Sequence, residues 1–213
     1  MVIKPFRLNK IQKYIPNQQL TILDVGAGSH SPSITKKWFQ NCIYHGIDIT
    51  NNYRNSDEDL NLMDSFFILD LTLLNFDSIQ NEHYDVIIMS HIIEHLHNGD
   101  LVISNLLKKL KKNGIIYIEY PSEKSTRLPS MRDTLNFYDD PTHCRIYKLE
   151  ELNNILENHN IKVLESGTRR HWTLIFLLPI KLVYNLLKLG YLPGGMFWDI
   201  CGFAEYTIGK KNH

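Results

Sequence analysis

The chain predicts an α/β fold with helices layered on a mostly parallel sheet, and three features carry that expectation. Short apolar runs alternate with stretches of helical periodicity, the pattern of strands joined by crossover helices. Some runs are almost continuously apolar, as in Tyr84-Asp85-Val86-Ile87-Ile88-Met89-Ser90, which suits a strand buried on both faces. The runs also close on polar residues: Asp24, Asp48, Asp70 and Ser90-His91 would all lie at carboxyl ends of strands. Open parallel sheets bind ligands there.

The elements follow in order. Leu8 to Tyr14 reads as a short helix closed by Pro16 and Asn17. Thr21-Ile22-Leu23-Asp24-Val25 is the first strand, and Ser31-Pro32 starts a helix over Ser33 to Gln40. Ile43 to Asp48 is a second strand, and the polar span 51–64 a loop or short helix. Phe66 to Leu71 is the third strand and Tyr84 to Ser90 the fourth. Asp100 to Lys112 carries apolar residues at 102, 103, 106, 107 and 110, one helical face, ended by Asn113-Gly114. Gly114 to Tyr120 is the fifth strand, stopped by Pro121. Beyond it lie a polar loop to about Cys144, a helix from Lys148 to Asn158, a strand Ile161 to Leu164, an apolar stretch, and a last strand near Ala204 to Ile208.

Length and composition bound the rest. With 213 residues, 43% hydrophobic and 22% charged, the chain suits one globular domain with a sizeable core. Lys+Arg and Asp+Glu balance at 23 each, so no global field draws DNA, and RNA is disfavoured. Cys42, Cys144 and Cys201 lie far apart, as reduced thiols do, and Met1-Val2-Ile3-Lys4-Pro5 lacks the apolar core of a signal peptide. A cytoplasmic location is expected.

The turn after the first strand narrows the ligand. Gly26-Ala27-Gly28 lets the backbone turn sharply and approach a ligand closely. Asp48, twenty residues after Gly28, is placed to accept from ribose hydroxyls. A dinucleotide fingerprint needs a third small residue where Ser31 stands, followed here by Pro32. Asp24 would also repel a pyrophosphate, but it suits a ligand carrying an ammonium and a sulfonium. S-adenosylmethionine fits these residues better than NAD.

Taken together, these motifs resemble the class I S-adenosylmethionine-dependent methyltransferases. The likeness runs well over residues 18–165: Leu23-Asp24-Val25-Gly26-Ala27-Gly28 matches the first motif, Asp48 the ribose acid, and Asp70-Leu71 the adenine site. The run from Tyr84 through Ser90, His91 and Glu94-His95-Leu96 matches the fourth-strand signature, and Leu110-Lys111-Lys112-Asn113-Gly114-Ile115 the turn into strand five. The resemblance implies a three-layer αβα sandwich with a seven-stranded sheet of order 3-2-1-4-5-7-6, one strand antiparallel. It implies a cofactor site of Asp24, Gly26, Ala27, Gly28, Asp48, Ile49, Asp70, Leu71, Ser90 and His91. Residues 1–213 then form one methyltransferase domain, with 121–147 as active-site loop and 170–203 as an apolar lid or interface insertion.

Methyl transfer from a sulfonium is an in-line displacement, so the protein supplies alignment and, for a hydroxyl acceptor, removal of a proton. His143 is the preferred base, with Asp139 or Asp140 expected to fix its tautomer; an exposed turn histidine is the alternative. His95 is the second catalytic candidate. His91-x-x-Glu94-His95 spells an inverted zinc-protease pattern, which needs a helix rather than a strand end. Ubiquinone-pathway and small-RNA 2′-O-methyltransferases carry a similar Glu-x-x-Glu-His that holds a divalent cation. That likeness implies a metal set of His91, Glu94, His95 and His143, held behind a metal-free reading in which Glu94 and His95 orient substrate.

The expected function is O-methylation of a small molecule or glycan. The alternatives are a metal-assisted RNA 2′-O-methyltransferase and a non-catalytic cofactor-binding partner subunit, and the chain is expected as monomer or homodimer. Trp172 to Leu192 is apolar but interrupted by Pro179, Lys181, Asn185 and Lys188. Core packing is its default role; a lid, a dimer face or membrane-surface contact are the others.

Overall fold

A computed structural model describes residues 3–15, 19–50 and 53–212. The elements are α1 (Phe6–Tyr14), β1 (Thr21–Val25), α2 (Ser31–Trp38), β2 (Ile43–Asp48), α3 (Asp57–Leu62), β3 (Ser65–Ile68), β4 (Tyr84–Ser90), α4 (Gly99–Lys109) and β5 (Leu110–Pro121). They continue as α5 (Leu149–Asn158), β6 (Ile161–Thr168), α6 (Trp172–Phe176), α7 (Leu178–Leu189), α8 (Trp198–Cys201) and β7 (Ala204–Lys211). The expected closure of the first helix at Pro16 and Asn17 lies outside the described residues.

The sheet has seven strands in the order β3-β2-β1-β4-β5-β7-β6. All neighbours pair parallel except β7, which runs antiparallel between β5 and β6. That is the order the resemblance implied. Period-2 alternation divides the central strands between two cores. Leu23, Val25, Ile87, Met89, Ile116 and Ile118 face one layer with Val102, Ile103 and Leu106 of α4 and Leu152 and Leu156 of α5. Ile22, Val86, Ile88, Ile115 and Tyr117 face the other with Leu8 and Ile11 of α1, and α2 covers the same side through Ile34 and Trp38.

Several boundaries differ from the expected ones. Helix α2 begins at Ser31, since Pro32 fits the first turn. Helix α4 stops at Lys109, and the chain pairs as strand from Leu110 because Leu110 is drawn opposite Tyr84. Strand β3 stops at Ile68, so Asp70 is not its last residue; Asp70 instead caps a 3-10 turn over Leu71–Leu73 through its bond from the Thr72 N–H. Strand β6 continues to Thr168 because β7 pairs with it as far as Glu205. The apolar stretch does not pack into the core. It forms α6 and α7, of which only Leu178 is buried, ended by Gly190 at φ 74°.

Helix α1, packed on the sheet through Leu8 and Ile11, is also tied to it by one carboxylate. Glu165 on β6 takes bonds from Lys10, Lys13 (3.1 Å) and Tyr14 (2.9 Å) of α1, and from Tyr206 (2.6 Å) of β7. Burial pushes its pKa up, but those bonds outweigh it and hold the carboxyl at about 2, below its ordinary 4.5. A depressed folded pKa gives stability that is complete above 4.5 and lost as pH falls toward 2. Hydrogen exchange over residues 6–14 should therefore accelerate across that window. Glu165→Gln should show fast exchange already at neutral pH, with little further change on acidification.

Candidate functional site

Parallel pairing of β1, β2 and β4 brings their carboxyl ends to one edge, where a cavity of about 970 Å³ opens. Of the residues the sequence assigned to a site, Asp24, Gly26, Gly28, Asp48, Ile49, Asp70, Leu71, Ser90, His91, Glu94, His95 and His143 all line it. Ala27 does not. Its side chain is fully buried beneath Gly46, and its N–H donates to Ile47 O at 3.1 Å. Its role is to fasten the turn to β2.

The turn is built around two close approaches. Gly26 has φ 78°, and a Cβ there would lie 2.0 Å from Ile92 Cδ1. A Cβ on Gly28 would lie 2.6 Å from the Tyr53 ring. Neither position has room for a side chain. Asp24, at the end of β1, is buried; its Oδ2 accepts from Ser31 Oγ at 2.5 Å and Tyr44 OH at 2.7 Å. Burial dominates and raises its pKa, against the Arg7 charge and the two hydroxyl bonds. A bound cation would favour its ionised form. Arg7, carried in by α1, lines the same cavity and bonds Ser31 Oγ at 3.1 Å, while its buried Nε has no hydrogen-bond partner among the described residues. Asp48 accepts from the Ile49 N–H at 2.7 Å. Asp70 uses Oδ1 for Thr72, whose two bonds lower its pKa.

The other half of the cavity is set by the 3-10 turn Ile93–His95 and the loop after β5. The Glu94 carbonyl accepts from Cys144 N (2.9 Å) and Arg145 N (3.1 Å), which pins the loop beside the turn. His143 Nδ1 donates to Phe137 O at 2.6 Å, so in the neutral ring Nε2 keeps its lone pair. Nε2 lies 4.0 Å from both Glu94 Oε1 and Asp140 Oδ2. The tautomer is thus fixed by a backbone carbonyl and not, as expected, by Asp139 or Asp140. Asp139 faces away: burial raises its pKa, but Ser130 and three backbone N–H groups hold it at about 2. Thr142 Oγ1 gives its single hydrogen to Asp140 at 2.5 Å, so it accepts from His95 Nδ1 at 2.9 Å. His95 then also carries its lone pair on Nε2.

Glu94 is the outlier. It is 1% exposed, and among the described residues neither carboxylate oxygen accepts a hydrogen bond. One donor atom from each of Glu94, His95 and His143 lies within 4.8 Å of the others, a set that fits a divalent transition metal. His91, expected in that set, is held elsewhere. It sits at φ 58° with Nε2 3.1 Å from Glu119 Oε1 and Nδ1 3.3 Å from Glu94 Oε1. Burial lowers its pKa, but the two carboxylates prevail and raise it to about 9. Among the described residues, His91 falls outside the set whose ligand atoms lie within 4.8 Å of one another. Glu119 is in turn paired with Arg169 at 3.0 Å; burial pushes its carboxyl up, but Arg169, His91 and Tyr117 leave it well below the usual range.

Sequence reading missed several walls of this cavity. Arg7, Tyr53, Trp198 and Phe203 are brought in by packing that the matched motifs do not encode, and Ile92 lies within the fourth-strand signature without having been assigned to the site. Tyr120, Tyr138 and Arg145 do not line the cavity: Tyr120 is in the core, Tyr138 is exposed, and Arg145 pairs with Asp100 and Glu151. Several basic side chains are spent inside the fold. Lys109 donates to the carbonyls of Phe76 and Ile79, Lys111 pairs with Asp85, and Arg169 and Arg170 both engage Asp199.

The family model described as a methyltransferase domain matches residues 7–166. No curated protein matches the chain. Among solved structures, an S-adenosylmethionine-dependent methyltransferase from Archaeoglobus fulgidus has a TM-score of 0.59 at 21% identity, covering 96% of this chain and 91% of that one. Phosphoethanolamine N-methyltransferase 2 of Haemonchus contortus, in complex with S-adenosyl-L-methionine, has a TM-score of 0.68 at 13% identity, covering 97% of this chain and 52% of that one. The [4+2]-cyclase SpnF has a TM-score of 0.62 at 15% identity, covering 96% and 79%. At such identities these likenesses show the shared fold, and the cyclase shows that the fold hosts more than one reaction. The family assignment rests on the matched sequence, three quarters of its length: the chain belongs to the methyltransferase domain family, as a class I S-adenosylmethionine-dependent methyltransferase.

Proposed function

We propose that this methyltransferase acts on a hydroxyl of a small molecule or glycan, with His143 taking the proton. The reading is carried by one observation: the lone-pair nitrogen of His143 and the aspartates of the sheet edge open on the same cavity. Asp48 and Ile49 would hold the ribose, with Asp70 accepting from the adenine amine and the Leu71 N–H donating to its ring. Asp24 would face the ammonium, and Arg7, whose Nε has no hydrogen-bond partner among the described residues, the carboxylate of the methionyl group. Ser90 and His91 would border the sulfonium end. The acceptor oxygen attacks the methyl carbon, the carbon–sulfur bond breaks with its electron pair staying on sulfur, and the acceptor proton passes to His143 Nε2. Asp140, 4.0 Å from that nitrogen, would stabilise the imidazolium so formed.

The loop 121–147 supplies Thr134, Asp140, Thr142 and His143 to the cavity, which supports its assignment as active-site loop within one domain of residues 1–213. The unpartnered Glu94 favours a second reading, in which Glu94, His95 and His143 hold a divalent metal. Such an ion would lower the pKa of the acceptor hydroxyl.

Asp48→Ala should weaken S-adenosylmethionine binding by about ten-fold or more in calorimetry; an unchanged Kd ends the ribose assignment. With acceptors drawn from a panel of hydroxylated metabolites and sugars, and S-adenosylhomocysteine as readout, His143→Ala should lower kcat by about 10²–10⁴-fold at unchanged cofactor affinity. Full kcat in that variant removes His143 as base. Exhaustive chelation should leave turnover intact if the first reading holds; loss restored by a transition metal selects the second.

A further inference from the structure

From Trp172 to Leu192 the chain carries two formal charges, Lys181 and Lys188, and no acid, although the whole chain balances at 23 of each sign. Helices α6 and α7 turn their apolar residues outward. Ile180, Val183, Tyr184 and Leu187 stand at i, i+3, i+4 and i+7 on one exposed face, with Phe176 a turn earlier and Trp172 beyond it. Phe176 is 78% exposed and Leu187 82%. A 12-residue helix with one buried side chain does not hold its shape on propensity alone, so this face requires a cover.

We propose that the α6–α7 face lies in the plane of an anionic lipid bilayer, with its apolar side chains in the acyl boundary. Charge, composition and length agree on that occupant. Both charges are lysines: Lys188 reaches back over the Tyr184 ring at 5.4 Å, and Lys181 is half-buried, so each stem can run along the apolar face with its ammonium at headgroup level. At the far end Arg132 stacks on Tyr191 at 4.1 Å and adds a third cation, while Asp133 accepts from the Tyr191 hydroxyl. Trp172 and Tyr184 supply the amphipathic rings favoured at a membrane interface. Helix α7 is about 18 Å long, against about 30 Å for a hydrocarbon core. It can lie on a bilayer but not cross it, and among the described residues no helix is long and apolar enough to do so. The surface is continuous in chain with the active site, since α7 leads through Gly194 to Trp198, a cavity wall. The proposal is independent of which acceptor is methylated.

Flotation of the purified full chain with vesicles tests it. Vesicles of equal parts phosphatidylglycerol and phosphatidylcholine should carry the protein to the top of the gradient, and pure phosphatidylcholine should bind it at least about ten-fold more weakly. The double variant Val183→Glu/Leu187→Glu should lose flotation, with an unchanged urea midpoint because both side chains are already in water. Lys181→Glu/Lys188→Glu should lower binding to the anionic vesicles and erase their advantage. Trp172 emission should shift to the blue with vesicles, and Trp172→Phe should abolish the shift. Absence of flotation on anionic vesicles overturns the proposal, as does equal binding to both. A solution dimer that Val183→Glu/Leu187→Glu dissociates would also overturn it, assigning the face to a second copy of the chain.

Discussion

The molecule depends on one constraint, the parallel pairing of β1 with β2 and β4. Parallel strands must all end at the same edge, so residues far apart in sequence meet there without any local motif joining them. Asp24, Asp48 and His91 share a cavity for that reason, and the crossovers leave the edge open because they start from it. Backbone bonding reinforces the arrangement. The N–H groups of Gly26 and Ala27 both bond to Ile47 O, so the glycine turn is locked to the end of the neighbouring strand. A cofactor would then meet a preformed cradle, losing little free energy to ordering it.

A second layer of order comes from the buried charges at the end of β5. Glu119 sits between Arg169 and His91, Arg169 reaches on to Asp199, and the Trp198 ring lies 4.8 Å from that of His91 and stacks on Phe203 at 4.5 Å. Removing one member would strand a charge in a dry interior, which is far more costly than the pairing is favourable. The network ties Arg169 and Arg170, before α6, to Glu119 of the sheet and to Asp199 of α8, while α6 and α7 between them remain outside the core. His91 illustrates the consequence: both ring nitrogens of a histidine that spells part of a metal motif face carboxylates, Glu94 and Glu119.

The strands and the glycine turn after the first were legible in the sequence because they rest on periodicity, on glycine and on acids at strand ends, all local signals; the order of the sheet came only with the family resemblance. Asp70 shows the limit of that legibility: the acid was found, but as the cap of a 3-10 turn it lies two residues past its strand. Arg7 and Trp198 were invisible, since each reaches the cavity through a helix packed from an end of the chain. The partner of His143 was misassigned for a related reason. Neighbouring acids look like the natural acceptors in a sequence, but the loop folds so that Asp139 collects backbone N–H groups and Phe137 offers its carbonyl. The apolar stretch was misread as core because apolar composition says what a segment avoids, water, and not what it packs against.

Metal-free and metal-assisted chemistry make the same demand on His95 and His143. Each ring needs Nε2 unprotonated and aimed inward, and each has its Nδ1–H held by a fixed acceptor, Thr142 Oγ1 in one case and Phe137 O in the other. A base and a ligand are both lone pairs held in place. What separates the two chemistries is Glu94. A substrate-orienting carboxylate can sit at a polar rim, whereas this one is buried and, among the described residues, neither oxygen accepts a hydrogen bond, although Oε1 lies 3.3 Å from His91 Nδ1. Paired with His91, Glu94 is tolerable as it stands, and a metal is not required to explain it. His91 thereby becomes the residue that lets one pocket satisfy the electrostatics of either chemistry, and its left-handed backbone at φ 58° is the local strain that places it there.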